Sequence, residues 1–369
     1  MHEAEPLEQI NRTFVRFRGR QLTYFSGCDY FRLASHPRVL AAARDGLRRL
    51  SFNVAASRVT TGNHPVYGKL ETALAEFFEA EAAVLTPTGY VTAMIAAQAL
   101  AGSVSHALVD EQAHAALQDA ARFLDCPILR FESRNAQSLA LQAHRCGPGA
   151  RILLLTDGMF ARDGSAAPLE RYLEVLPKDA CLLVDDAHGA GILGANGRGT
   201  LEHAGVKRQR IIQTITLSKA FGAYGGAILG TAALRRRIIS HSHLFIGSTP
   251  LPPPLANAGL EAVRLMASHG SQLRADLARN ADFVKDGLRQ AGVPVPEYPG
   301  PILRVVPRNQ AEVGQLSRML LRAGIYPPLT RYLRKSGNGY YRFVISSQHS
   351  MLQLQSLLRV LLRFYRERK

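Results

Sequence analysis

Residues 181–191, CLLVDDAHGAG, decide the architecture of this chain. Four apolar or small residues run straight into two carboxylates, a histidine and a glycine turn. That pattern reads as a buried strand whose C-terminal end opens onto a crevice. The same arrangement recurs on both sides of it. AAVLTP (82–87) precedes VTAMIAAQAL (91–100), HALVDE (106–111) precedes AHAALQDAARFL (113–124), and RILLLTD (151–157) precedes PLERYLEVL (168–176). IIQTITL (211–217) and GGAILG (225–230) follow. Strands alternating with helical patterns predict an α/β fold with a mostly parallel sheet covered on both faces, and a site at the C-terminal strand ends.

Farther along, FIGSTPLPPPLANAGLEAV (245–263) carries a proline cluster ahead of a long amphipathic pattern that runs to about residue 292. A hinge near Pro254 is expected there. It would divide the chain into an N-terminal segment (1–45), a large domain (46–254) and a smaller α+β C-terminal domain (255–369). In the last, ILRVVP (302–307) and YYRFVIS (340–346) read as strands and residues 351–368 as an amphipathic helix.

Composition narrows the function classes. The 369 residues lack the polar bias of a disordered chain. The first ten residues, MHEAEPLEQI, have no apolar core of a secretion signal, and the longest apolar stretch is broken by Gly, Ser and His, so a soluble cytoplasmic protein without membrane contact is expected. Cys28, Cys126, Cys146 and Cys181 show no CxxC spacing, which argues against a disulfide framework and a cysteine-based metal site. Lys and Arg outnumber Asp and Glu by 45 to 29, a net charge of +16. The arginines are scattered and no nucleic-acid signature accompanies them, so acidic or phosphate-bearing small molecules are the expected partners.

Several residues stand where chemistry could occur. Asp185 and Asp186 point to opposite faces of their strand by alternation. A carboxylate buried at a strand end needs a cation, such as a metal, an arginine or a protonated heterocycle; the alternative is a solvated turn. Thr216-Leu-Ser-Lys219 followed by AFGAYGG places hydroxyls and an amine before a glycine-rich turn, suited to an aldehyde-bearing phosphate ligand, or else to a surface lysine ahead of a loop. Gly89 and Tyr90 open a helix after a strand, where free backbone N–H groups favour a phosphate. His114 follows another strand end and could stack on a flat group, act as acid or base, or serve structure alone. Gly189, Gly191 and Gly194 satisfy G-x-G-x-x-G literally. However, Asp-Asp-Ala-His separates them from the strand, Gly197 and Gly199 interrupt any helix, and no acidic residue stands about twenty positions on. A nicotinamide-dependent oxidoreductase is therefore disfavoured, and the absence of G-x-S-x-G, H-E-x-x-H and Walker A sequences removes common hydrolase, zincin and P-loop chemistries.

Taken in order, Thr-Gly-Tyr (88–90), His114, VDDAHGAGILGANGRG (184–199) and TLSKAFGAYGG (216–226) resemble the pyridoxal 5'-phosphate (PLP) site of fold-type I transferases, and more narrowly the α-oxoamine synthases. SRVTTGNHPVYGKLETALAEFF (57–78), GSTPLPP (247–253) and YYRFVISSQHS (340–350) extend the resemblance over most of the chain. It implies that Lys219 carries the cofactor as an imine and removes the substrate Cα proton, that Asp185 pairs with the pyridinium nitrogen, and that His188 bonds the ring hydroxyl. His114 would stack over the ring. Thr216, the Gly89 and Tyr90 backbone and Thr249 from a second subunit would hold the phosphate, and Arg342 would grip the amino-acid carboxylate. The implied reaction condenses an amino acid, alanine by default, with an acyl-CoA or acyl carrier protein thioester, with loss of carbon dioxide, in a homodimer. An aminotransferase or aldolase of the same fold, and a non-catalytic binding protein, are the alternatives. The chain departs from the family pattern at Cys28 (usually Asn), Arg32 (usually Gly), Ala93 (usually Asn) and Ala161 (usually Ser).

Overall fold

The computed structural model describes residues 5–331 and 338–368, and these gather into two compact units. The larger comprises residues 36–161 and 165–271; the smaller comprises the residues up to Ser35, Arg162–Gly164 and those from Gln272 onward. In chain order the strands are β1 (Glu8–Gln9), β2 (Phe14–Phe17), β3 (Arg20–Thr23), β4 (Ala82–Thr86), β5 (His106–Asp110), β6 (Ile128–Phe131) and β7 (Ile152–Asp157). They continue as β8 (Cys181–Asp185), β9 (Ile211–Thr216), β10 (Gly226–Gly230), β11 (Ile302–Val305), β12 (Leu329–Thr330) and β13 (Tyr340–Val344).

A seven-stranded sheet ordered β4-β10-β9-β8-β7-β5-β6 forms the larger unit. The pairs β5–β6, β5–β7, β7–β8 and β8–β9 are parallel, while β10 runs antiparallel to both β4 and β9. The reversal follows from the turn of residues 217–225, too short for the crossover that a parallel return needs. Alternation along the strands fills two cores. Leu183 and Leu155 pack with Ile95 and Leu117 on one face; Leu182, Val184 and Leu154 pack with Leu139 and Tyr172 on the other. Of the helices that supply those faces, Ala136–Arg145 begins at a competent cap, Asn135.

In the larger unit a buried ion pair ties the sequence SRVTTG to the helix Pro65–Phe77. Arg58 donates to both Glu71 oxygens, Glu71 Oε1 also accepts from Leu85 N–H at 2.9 Å, and both side chains are less than a tenth exposed. A charge pair so enclosed holds only because its hydrogen bonds replace water on each side.

The smaller unit contains the antiparallel sheet β11-β13-β12 and the three-stranded sheet β1-β2-β3. Leu303, Val305, Tyr341 and Phe343 form one core with Leu316 and Leu320 of the helix Gln310–Arg322 and Leu354, Leu357 and Phe364 of the helix Met351–Glu367. A capping box of Ser350 and Gln353 starts the terminal helix. Thr23 donates to Gly324 O at 2.7 Å and accepts from Tyr326 N–H at 2.9 Å, so the N-terminal residues belong with the C-terminal ones instead of forming a separate segment. The prolines around Pro254 also behave differently from the hinge the sequence suggested. Pro253 and Pro254 start a 38-residue helix, Pro253–Gln290, where a missing N–H leaves no bond unmade. The division between units falls within that helix, at residue 272.

Candidate active site

Three strand ends in the larger unit deliver carboxylates to one edge: Asp110 from β5, Asp157 from β7 and Asp185 from β8. Asp157 and Asp185 are register partners in the parallel ladder and therefore share a face. Both are buried. Burial raises the pKa of Asp185, against the opposing charges of Lys219 and His114 and a hydrogen bond from Ala187 N–H at 3.1 Å. Asp157 is driven further up by burial and then by the charge of Asp185, although it accepts from His114 N–H at 2.7 Å. Of the two, Asp157 is raised further and so holds a proton more readily.

His114, Asp185 and Lys219 act on one another. His114 caps the helix Ala115–Ala121, its Nδ1 accepting from Ala116 N–H at 3.2 Å. The neutral ring therefore carries its proton on Nε2. The pKa of His114 lies below the ordinary value, first because of desolvation and then through Lys219, with Asp185 opposing. Tyr90 meets the imidazole edge-on, 6.1 Å between centroids, and donates to Asp119 at 2.6 Å. His188 is buried just beyond the strand end.

Gly89 begins the helix Gly89–Leu100, and Thr88 before it makes no side-chain cap. A Cβ on Gly89 would lie 2.7 Å from Thr216 Oγ1, so only glycine lets the helix start against that hydroxyl. Thr216 closes β9 and its Oγ1 accepts from Ser218 N–H at 3.2 Å. The turn that carries Lys219 is held by bonds from Gly222 N–H to Lys219 O at 3.0 Å and from Leu217 N–H to Gly225 O at 2.9 Å.

Asp186, on the opposite face, has a structural task. Its carboxylate accepts from Thr200 N–H at 2.8 Å, Thr200 Oγ1 at 2.6 Å and Gln213 Nε2 at 2.7 Å, and burial pushes its pKa up to about 6 despite them. A Cβ on Gly189 or Gly199 would collide with that carboxylate. The literal G-x-G-x-x-G is thus a loop wrapped around an internal acid, which explains why no dinucleotide context surrounds it.

In the smaller unit, Arg342 lies on β13 and its guanidinium donates to Cys28 Sγ at 3.6 and 3.7 Å, beside the fully buried Tyr30. Desolvation disfavours the Arg342 charge, but Cys28 and Tyr30 more than offset it and its pKa rises. His349, seven residues on, is internal: Nδ1 accepts from Ser346 N–H at 3.0 Å and the ring stacks on Phe25 at 4.1 Å. Arg32 adopts φ +55°, a conformation that favours glycine, and is held by bonds to Tyr24 O at 3.1 Å and Ser26 O at 3.3 Å. Thr249 is exposed in the larger unit.

Sequence reasoning passed over Asp110, and it also passed over Asp157. Its signal was present, since RILLLTD ends in a carboxylate as CLLVDD does.

The model of the family "Aminotransferase class I and II" matches residues 26–361. The chain belongs to that family. Among relatives of this aminotransferase-family chain, 8-amino-7-oxononanoate synthase of Thioalkalivibrio sulfidiphilus is 35% identical over 93% of this chain and 88% of its own length. The solved serine palmitoyltransferase of Sphingomonas wittichii superposes with a TM-score of 0.91 at 27% identity, covering 98% of this chain and 91% of that one. A structure of SPT with a PLP internal aldimine gives a TM-score of 0.91 at 25% identity, with the same coverage. These aminotransferase-family neighbours have the fold-type I architecture, a mixed α/β arrangement around a large, mostly parallel seven-stranded sheet.

Proposed function

We propose that the chain is a PLP-dependent C-acyltransferase of the α-oxoamine synthase group, acting as an 8-amino-7-oxononanoate synthase in biotin biosynthesis. Its relatives' names support this reading, and so does one observation above the others: a buried Asp185 at a C-terminal strand end, facing the charge of Lys219. The residues fit the cofactor. An uncapped helix start at Gly89 beside the Thr216 hydroxyl suits its phosphate, and a desolvated anion suits its ring nitrogen.

PLP, when bound, supplies an electron sink for the negative charge left at the amino-acid Cα. The chain supplies the rest. Asp185 holds a proton on the ring nitrogen by offering a charge where water is excluded. The Lys219 amine takes the Cα proton. His114, its Nδ1 occupied by Ala116 N–H and its backbone bonded to Asp157, would stack on the cofactor ring. His188 bonds the ring hydroxyl. Thr216, the Gly89 and Tyr90 N–H groups and Thr249 from a second copy of the chain hold the phosphate. Arg342 takes the substrate carboxylate with a two-pronged fork. Overall, an amino acid and an acyl thioester give an α-amino ketone, carbon dioxide and a free thiol.

We place the enzyme in the cytoplasm as a homodimer; no described helix is long and apolar enough to cross a membrane. The +16 charge suits the phosphates of coenzyme A or the acidic surface of an acyl carrier protein. Thiol release from acyl-CoA and acyl carrier protein donors, measured with alanine, glycine and serine in turn, tests the reading. Release with alanine as the preferred amino acid is expected. Amino-group transfer to an oxo acid without thiol release would replace it with the aminotransferase reading.

A further inference from the structure

The departure from the family pattern at Cys28 falls on the residue that Arg342 touches. Along β13, alternation sends Tyr341 and Phe343 into the core and leaves Arg342 on the other face. The segment that carries Cys28 is laced to the end of the same strand. Val344 N–H donates to Phe25 O at 2.9 Å and Ser347 N–H donates to Tyr30 O at 3.0 Å, so the backbone on both sides of Cys28 holds it beside the guanidinium. Cys28 itself is only partly buried.

The two Arg342 Nη groups reach Cys28 Sγ at 3.6 and 3.7 Å. A sulfur nearly equidistant from both lies in the plane that bisects the fork. The carboxyl carbon lies in that plane too when a carboxylate takes the same two groups side by side. Sulfur and carboxylate therefore compete for one end of one guanidinium. The strength of the competitor depends on its proton. A neutral thiol is a weak acceptor that a carboxylate displaces, whereas a thiolate is a full charge in contact with a cation.

Two cations and one hydroxyl act with the sulfur in the smaller unit. After desolvation, Cys28 is the largest influence on Arg342, ahead of Tyr30. Burial disfavours the charge of Arg32, and Asp29, Tyr24 and Cys28 oppose that effect. Tyr30 is pushed well above the ordinary phenol value by burial and then by Cys28, so it keeps its proton while a thiol ionises.

We propose that Cys28 is a specificity-determining residue whose thiolate occupies the end of the Arg342 fork, so that a substrate carboxylate binds as the sulfur takes up a proton from solvent. The identity of that carboxylate, the one on the amino acid, rests on the proposed function.

Propionate, which is alanine without its amine, isolates the exchange because it has no group that titrates above neutral pH. Calorimetric titration of the holoenzyme with propionate should show affinity falling about fivefold or more between about pH 7 and about pH 9.5. Repeating the titration in buffers of unlike ionisation enthalpy should show proton uptake on binding at the higher pH. Cys28→Ser does not ionise in this range, so it should flatten the response and end the uptake. Cys28→Asn, which restores the residue usual at this position, should do the same. With alanine as substrate, KM should rise with pH more steeply in wild type than in either variant. An equal pH response in wild type and Cys28→Ser overturns the proposal, and so does a flat response in wild type. Absent thiol release from acyl thioesters, with the propionate response intact, would sink the acyl-transfer reading alone. Thiol release with a pH response indifferent to Cys28 would sink the exchange alone.

Discussion

At the ends of β7 and β8 two carboxylates, Asp157 and Asp185, are register partners; on β11 and β13 two guanidiniums, Arg304 and Arg342, are register partners as well. The two like-charge pairs can be eased in different ways. A carboxylate can accept a proton, and burial and the neighbouring charge both favour that at Asp157. Asp185, opposed by the charge of Lys219, is raised less. Arginine has no comparable exit, because its pKa stays far above any working pH. The first pair is therefore eased by a proton, and the second by separation, with Arg342 turned to Cys28 Sγ and Arg304 laid over the Tyr340 ring.

The sharpest way to break this comparison is to remove the anion from the first pair. Asp185→Asn keeps the shape and loses the charge, and thiol release should fall by about three orders of magnitude or more. Arg342→Met comes next. Losing a two-pronged contact to a carboxylate should raise KM for the amino acid on the order of a hundredfold, with a smaller change in kcat.

His349 offers a smaller test in the same physical terms. Burial, and then the charge of Arg32, hold its pKa at about 3. The folded form binds its proton less readily than the unfolded form, whose pKa is about 6.5, so stability is lost as pH falls from about 6.5 toward 3. For this one group the slope is about 1.4 kcal/mol per pH unit. Urea unfolding of His349→Gln at pH 7, 6 and 5 should show a shallower decline than wild type, and an unchanged slope would assign the acid sensitivity elsewhere. The smallest effect is expected for Asp157→Asn, which imitates a carboxyl already carrying its proton. Activity should drop by less than about tenfold. A loss as large as that of Asp185→Asn would mean that the assignment of charge within the pair is reversed.

Much of this was readable in the residues themselves. Apolar runs ending in Asp, Thr or a Gly-rich turn identified the large sheet and its working edge, because a buried strand must surface somewhere and its first polar residue marks the place. The resemblance supplied roles for His114, His188 and Arg342 that no spacing rule gives. Other features depended on tertiary context. Strand β6 is a short edge strand whose ILRF alternates weakly. The strands before residue 24 are short and charged, and they are ordered by bonds to residues 324–326, three hundred positions away. The start of the long helix at Pro253 was masked because proline breaks a helix internally yet suits its first turn. Arg304 could not be recognised as a partner of Arg342 until the register of β11 and β13 was known.

The central claim is that Lys219 and Asp185 hold PLP between them. Borohydride reduction of the purified protein, followed by peptide mass spectrometry, tests it most directly. The account predicts a yellow protein that bleaches, with a single pyridoxyl phosphate mass on the peptide containing Lys219, and loss of that mass in Lys219→Ala. A colourless protein, or the same mass on another lysine with Lys219 unmodified, would contradict it.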